Sequence, residues 1–419
     1  MNTKTLLTRR QAILVFLVLA LAYFLSTLIR AITATLAPTL VQELSLSAAE
    51  LGLLAGGYFL GFSFTQLPLG AWLDRFGPKR VEVTFLLVAV AGCLAFSLAS
   101  SFTGLLLARI LCGIGVSSCL MAPLTGYRRW YAPATLMRAN SWMLMVGALG
   151  AVASTLPVQW LLPQIGWRPI FLLLALAVAL AALLIVWQLP AWSQSRSPAP
   201  ETGTQSNSHP TASSATGYAE IWRSRYFQSL MPLAFVGYGG MVAMQTLWVT
   251  PWMVHMAGFS SAQSALGVFW ISLAMLFSYW VWGLVNPALA RRGIHADWLI
   301  LRGVPLSLMP LLLLVWLGQA AVASAPWILG CYCVLATVNS QAQPAVGVSF
   351  HSDLAGRALS AYNLVVFCGV FAVQWGMGLA IDALRALCWA EAAAYQGAWA
   401  LYALCYLAAY LYFLRAKKT

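Results

Sequence analysis

The sequence predicts an all-α membrane protein, with twelve transmembrane helices arranged as two six-helix bundles. Three observations carry this. Of 419 residues, 61% are hydrophobic and only 8% charged, against roughly 25% charged in a soluble domain, and the mean hydropathy is +0.81. The apolar runs are about 20 residues long, the length a helix needs to cross a hydrocarbon core of about 30 Å. A polar Ser/Thr/Pro-rich stretch then divides the runs six and six. The ten-residue alternation of a membrane β-barrel is missing. Helices are the remaining way to satisfy backbone groups in lipid.

The first run, 11–37, follows a basic start (MNTKTLLTRRQ) and has no small-residue cleavage site, so it reads as a retained helix. Runs at 51–72 and 81–100 flank the turn GAWLDRFGPKRV. Runs at 103–124, 139–162 and 169–189 complete a first half, 1–190. A linker spans 191–226, and its centre, 193–217, is too poor in apolar residues to fold, which predicts a flexible tether. The second half, 227–419, holds runs at 228–254, 262–286, 298–319, 326–349, 361–384 and 398–414.

A net charge of +13 invites a nucleic-acid reading. The distribution argues for a membrane instead. With the N-terminus cytoplasmic, nineteen of the 23 Lys and Arg fall in cytoplasmic segments, including Arg75, Lys79, Arg80, Arg128, Arg129, Arg291 and Arg292. Only Arg168 and Arg385 fall in outer loops. The positive-inside bias therefore places both termini and the linker in the cytoplasm. Short loops and compact termini point to a bacterial inner membrane.

Eight cysteines lie in or beside apolar runs without CxxC or Cys/His spacing, so neither disulfides nor a metal site are expected. No convergent His/Asp/Glu/Cys constellation lies at membrane depth. An enzyme, a cofactor and a metal are therefore not expected. A membrane sensor would be expected to carry a sizeable soluble signalling domain, and the longest soluble stretch is the tether.

The turn Gly70–Val81 has a physical reading of its own. Gly70 permits close helix approach, Asp74 ends a helix, Gly77-Pro78 makes a tight turn, and Arg75, Lys79 and Arg80 hold the loop at the cytoplasmic face. The stretch resembles the G-x-L-x-D-R-x-G-x-K/R-x motif between helices two and three of the major facilitator superfamily. ARILCGIGV is similar to that superfamily's R-x-x-x-G-x-G pattern, through Arg109, Gly113 and Gly115. The second half has a degenerate copy of the turn, GLVNPALARRGI, with Pro287 where an acid is expected.

The resemblance implies two bundles that rock about a central site, with helices one, four, seven and ten lining the cavity. It also implies that Asp74 docks on the start of the eleventh helix in the outward-facing state, with Arg75 and Arg357 as candidates for the same latch and Gly70 and Gly77 shaping it.

Arg30 lies eight residues before Pro38, about 12 Å from the outer end of its helix, and Arg109 lies about 10 Å from the outer end of the fourth helix. Tyr23, Ser26, Thr27 and Thr33 recur beside Arg30 at helical spacing and make a polar stripe. Such a stripe belongs against a wet interior. The competing readings are snorkelling for Arg30 and, for Arg109, a guanidinium bonded to backbone carbonyls.

All ten acids fall in loops or near helix ends, so the expected counter-charge is the substrate. A planar guanidinium suits a carboxylate or phosphate. Gln245 and Asn339 are the expected polar contacts from the second half.

The sequence thus predicts a secondary active transporter importing a small organic anion, working as a monomer among lipids, with a proton or sodium as possible coupling ion. The alternative is a proton-coupled drug exporter. The fifth helix lacks the exporters' Gly-Pro pair, which favours import.

Overall fold

The computed structural model describes residues 7–131, 133–190, 214–321 and 323–418, which form helices and no strand. Most of the predicted tether, 193–217, lies outside the described residues. Its last four residues do not behave as a tether, because they open a short helix, Ser214–Arg223. That helix is anchored by Ile221, which is fully buried in the second half's core.

The spanning helices run past the predicted cores at most ends. Helix α1 is Arg9–Leu44, capped by a reciprocal Thr8–Gln11 box. A continuous helical stretch, Ala48–Leu98, breaks at Gly77 into α2 (48–76) and α3 (78–98). Gly77 has φ +80°, which a side chain would strain, and Pro78 restarts the helix. Asp74 therefore does not end the helix; Gly77 does, one turn later.

Helix α4 comprises Phe102–Val116 and Met121–Trp130, joined by a tight turn. Helix α5 comprises Pro133–Ala153 and Leu156–Ile165, with a bend of 41° between 138–153 and 156–165. Helix α6 is Trp167–Gln188.

Helix α7 occupies Arg225–His255 and contains two π-turns, Leu233–Tyr238 and Met244–Trp248. Helices α8 (Ser261–Arg291) and α9 (Ala296–Leu317) follow. Helix α10 joins Ala325–Ala336 to Ala342–Ser349 through a 3-10 turn, Thr337–Gln341. Helices α11 (Ser352–Ala386) and α12 (Glu391–Lys418) end the chain.

Nine described helices are long and apolar enough to cross a membrane, ten with the bent α5. Counting α2 and α3 separately and adding the interrupted α10 is consistent with twelve crossings. This is an integral, multi-pass membrane protein.

Two cores hold it. One is built almost wholly from residues 15–189 and the other from 221–413, each borrowing a few residues across the divide. The start of α1, the end of α12 and the α2–α3 turn gather at one end, which we call the basic end. There Lys79 Nζ donates to Leu189 O at 2.9 Å, Leu7 N to Trp130 O at 3.2 Å, and Lys417 pairs with Asp297.

At the opposite, far end, α2 of the first half crosses α11 of the second at glycines. A Cβ on Gly52 would sit 2.3 Å from Gln374 O, and one on Gly378 would sit 2.2 Å from Ala48 O.

Candidate functional site

Arg30 stands midway along the bundle, half-buried, with no hydrogen bond or ion pair among the described residues. Four tyrosines surround it closely enough to feel its charge: Tyr23 of α1, Tyr58 of α2, Tyr238 of α7 and Tyr279 of α8. The set therefore draws on both halves. Tyr23, Tyr238 and Tyr279 are, like Arg30, only partly covered. Partial exposure at this depth means that they line an internal space.

Each side chain is placed by its own element. The first π-turn of α7 ends at Tyr238, whose hydroxyl interacts with that of Tyr279. A π-turn widens the helix locally and re-aims its side chains. Gly147 of α5 lies against the Tyr23 ring, where a Cβ would come within 2.3 Å. Tyr58 is fully buried and its hydroxyl donates to Ser26 O at 3.3 Å.

The other expected contacts go elsewhere. Arg109 is 1% exposed, donates through Nη1 to Ile29 O at 3.0 Å and lies 5.2 Å from the Tyr58 ring centre, while its Nε and Nη2 have no partner among the described residues. It is outside the cavity. It pins the α1 backbone one residue before Arg30, so the carbonyl-bonded alternative is the one the structure adopts. Gly113 makes this possible, because a Cβ there would fall 1.9 Å from Tyr58 O and push α4 off α2.

Thr27 is buried too, its hydroxyl spent on Tyr23 O and Phe24 O and packed under Gly150. Asn339 is 3% exposed and donates to Ala336 O and Tyr406 Oη inside the second core. Gln245 remains half-buried, 3.4 Å from Ser272 Oγ. A short helical period cannot say which polar residue of a stripe faces the cavity and which bonds its own helix. That is why Thr27 and Asn339 misled, and why Tyr58 and Tyr279 went unnoticed.

Gly70 and Asp74 lie at the basic end. A Cβ on Gly70 would have nothing within 4 Å, and Asp74 is exposed without a partner among the described residues. The close approach expected at Gly70 is thus not made in this conformation. Arg75 lies 5.1 Å from the Phe76 ring centre. Arg357, at the start of α11, acts instead on Tyr218 of the short helix. Burial raises that phenol above its usual range and the Arg357 charge opposes the rise.

The far end has a latch that sequence reasoning missed. Asp382, at the end of α11, accepts from Ala48 N at 3.2 Å and from Ala49 N at 2.7 Å, capping the start of α2. Trp248 Nε1 adds a bond to Gln374 O at 3.1 Å. Glu391 pairs with both Arg385 and His255 nearby.

A family model for the Major Facilitator Superfamily matches residues 19–374. The chain belongs to the major facilitator superfamily. Its relatives include the "Probable sulfoacetate transporter SauU" of Cupriavidus necator, 26% identical over 59% of this chain and 59% of that protein. The 4-hydroxybenzoate transporter PcaK of Acinetobacter baylyi is 28% identical over 42% of this chain and 39% of its own length. The cis,cis-muconate transport protein of the same organism is 30% identical over 39% of this chain and 40% of its own length.

The matched regions thus span three-fifths of the first relative or less. Among solved structures, a bacterial homolog of the human lysosomal transporter Spinster has a TM-score of 0.76 at 18% identity, covering 98% of each chain. The D-xylose-proton symporter has a TM-score of 0.74 at 15% identity, covering 96% of this chain and 97% of that one. These two likenesses establish the superfamily fold.

Proposed function

We propose that this superfamily member is a secondary active transporter that imports a small organic anion by alternating access, and that Arg30 is the anion's counter-charge. The carrying observation is the half-buried Arg30 without an anionic partner among the described residues, ringed by tyrosines from both halves. A cation buried at that depth costs several kcal/mol unless an anion answers it. A guanidinium with neighbouring phenols offers fork-like donors to a carboxylate or sulfonate and flat faces to an unsaturated body. The relatives named for sulfoacetate, 4-hydroxybenzoate and muconate support an anionic cargo.

The halves 1–190 and 227–419 rock against each other about this site, joined by the linker 191–226. The basic end faces the cytoplasm of a bacterial inner membrane, so the conformation here, sealed at the far end, opens inward. The protein works as a monomer.

The test is a melting-temperature shift of purified protein against sulfoacetate, 4-hydroxybenzoate, cis,cis-muconate, a lipophilic cation and a neutral sugar. A ligand at 100 times its Kd adds about 2.7 kcal/mol. Anions alone should shift the protein, and Arg30→Gln should abolish the shift. A shift by the cation and not by anions would overturn the reading and favour an exporter.

A further inference from the structure

The ten acids gave no mid-membrane carboxylate by sequence position. One of them is nevertheless wholly buried in the bundle. Glu82 of α3 is 0% exposed, and neither carboxyl oxygen has a hydrogen-bond partner among the described residues. Its chain neighbour Val81 packs with Leu69 and Leu73 of α2 and Ala122 of α4.

Opposite lies the turn that interrupts α4 between Val116 and Met121. There the backbone tightens to Ser117 N–Ile114 O and Cys119 N–Val116 O bonds, each 3.2 Å. Ser118 Oγ, fully buried in the same turn, also lacks a partner. Orphaned buried polar atoms are uncommon in folded proteins and ask for an explanation.

Among the described residues, the titratable groups around Glu82 make no bond or ion pair with it. From α4, Cys119 and Tyr127 are near enough to feel its charge. The Tyr127 hydroxyl is turned to Met143 Sδ at 3.8 Å. Arg109 is committed to Ile29 O and Arg128 is exposed. From α2, Asp74 and Arg75 are exposed at the turn; on α3 itself Lys79 is bonded to Leu189 O and Arg80 is exposed. The one charged residue of α6, Arg168, pairs with Glu43 at the far end. Arg9 and Arg10 of α1 are exposed. A carboxylate in such a place is disfavoured far more strongly than a carboxylic acid.

We propose that Glu82 is a proton-binding site of the transport cycle, protonated while α4 is broken beside it and deprotonated when α4 repacks and water reaches the pocket. The step moves one proton and nothing else. It names a coupling ion for the transport reading and rests on that reading, but its site is separate from Arg30.

Two measurements test it. In the first, proteoliposomes are assayed for counterflow of radiolabelled sulfoacetate, cis,cis-muconate or 4-hydroxybenzoate. The exchanged anion is then assayed for accumulation under a one-unit, acid-outside pH gradient. Wild type should accumulate up to about tenfold for one coupled proton. Glu82→Gln should keep counterflow within twofold and lose gradient-driven accumulation, and Glu82→Asp should restore it with a displaced pH midpoint. Accumulation by Glu82→Gln equal to wild type would overturn the proposal, as would a wild type driven by sodium alone. Failure of wild type to exchange any of the three anions would count against the anion reading instead.

The second measurement needs no substrate. A carboxylic-acid C=O infrared band at neutral pH that vanishes in Glu82→Gln supports the proposal. No such difference between wild type and variant overturns it.

Discussion

Replacing Asp382 by Asn should shift the protein towards the state opened at the far end. The carboxylate makes two charge-assisted bonds to the first amides of α2, at 3.2 and 2.7 Å. A hydrogen bond to a charged group contributes about 1.5–3 kcal/mol, and an anion at a helix N-terminus about 0.3–1 kcal/mol. Asparagine keeps one neutral acceptor and loses the charge, so we expect a loss of about 1–2 kcal/mol, or roughly 5–30-fold in the equilibrium. A far-end-open state populated at about 1% would then rise to between about 5 and 25%.

Spin labels at Ile165 and Leu387, both exposed near the far end, would report it as a new long-distance population. Exposed Cys331, Cys388 and Cys405 would first be replaced by Ser. The bond is broken whenever the far end opens, so its loss must appear in that equilibrium. An unchanged distance distribution, with the variant folded, would refute the latch.

Two further predictions concern packing. Arg109→Gln should leave thermal stability within about 1 kcal/mol of wild type, because the lost bond to Ile29 O is offset by removal of a buried cation whose Nε and Nη2 have no partner among the described residues. It should also weaken anion-induced stabilisation without abolishing it, since Arg30 is displaced but retained; melting curves with and without sulfoacetate measure both. Gly113→Ala should destabilise by several kcal/mol through its 1.9 Å clash with Tyr58 O, whereas Gly70→Ala, with open space around it, should stay within about 0.5 kcal/mol of wild type by thermal melting.

The fold was legible because hydropathy, charge bias and the linker are properties of whole segments, and each pointed to the same two-by-six plan. The α2–α3 turn was legible because Gly77-Pro78 has few conformations. Arg30 stands out in the sequence because a full charge in an apolar run has few explanations. What escaped depends on which way a side chain turns or on what meets it from far along the chain. Thr27 and Thr33 look alike in sequence, yet Thr27 bonds its own helix. Asn339 lies on a central helix but answers Tyr406 within the second core. Asp382 reads as a loop-end acid until Ala48 and Ala49, more than 300 residues earlier, are placed against it. Glu82 reads as part of a basic inner turn, although only three dimensions show that no described base bonds its carboxyl oxygens.

One helix pair, α2 and α11, bears the logic of the conformational change. At the far end α11 ends in an acid, Asp382, that caps the start of α2. At the basic end α2 approaches its break with an acid, Asp74, one helix length from that cap and now exposed. Gly52 and Gly378 hold the two helices together at the far end, and on the proposed alternating access Asp74 would answer the start of α11 in the opposite state. On that proposal, closing one end opens the other. Between the ends, Tyr23 and Tyr58 move with one half and Tyr238 and Tyr279 with the other. On the proposed function, an anion held on Arg30 with the partly exposed Tyr23, Tyr238 and Tyr279 in place is held best when the halves are nearest. On the same proposal, its binding energy would lower the barrier between the two states.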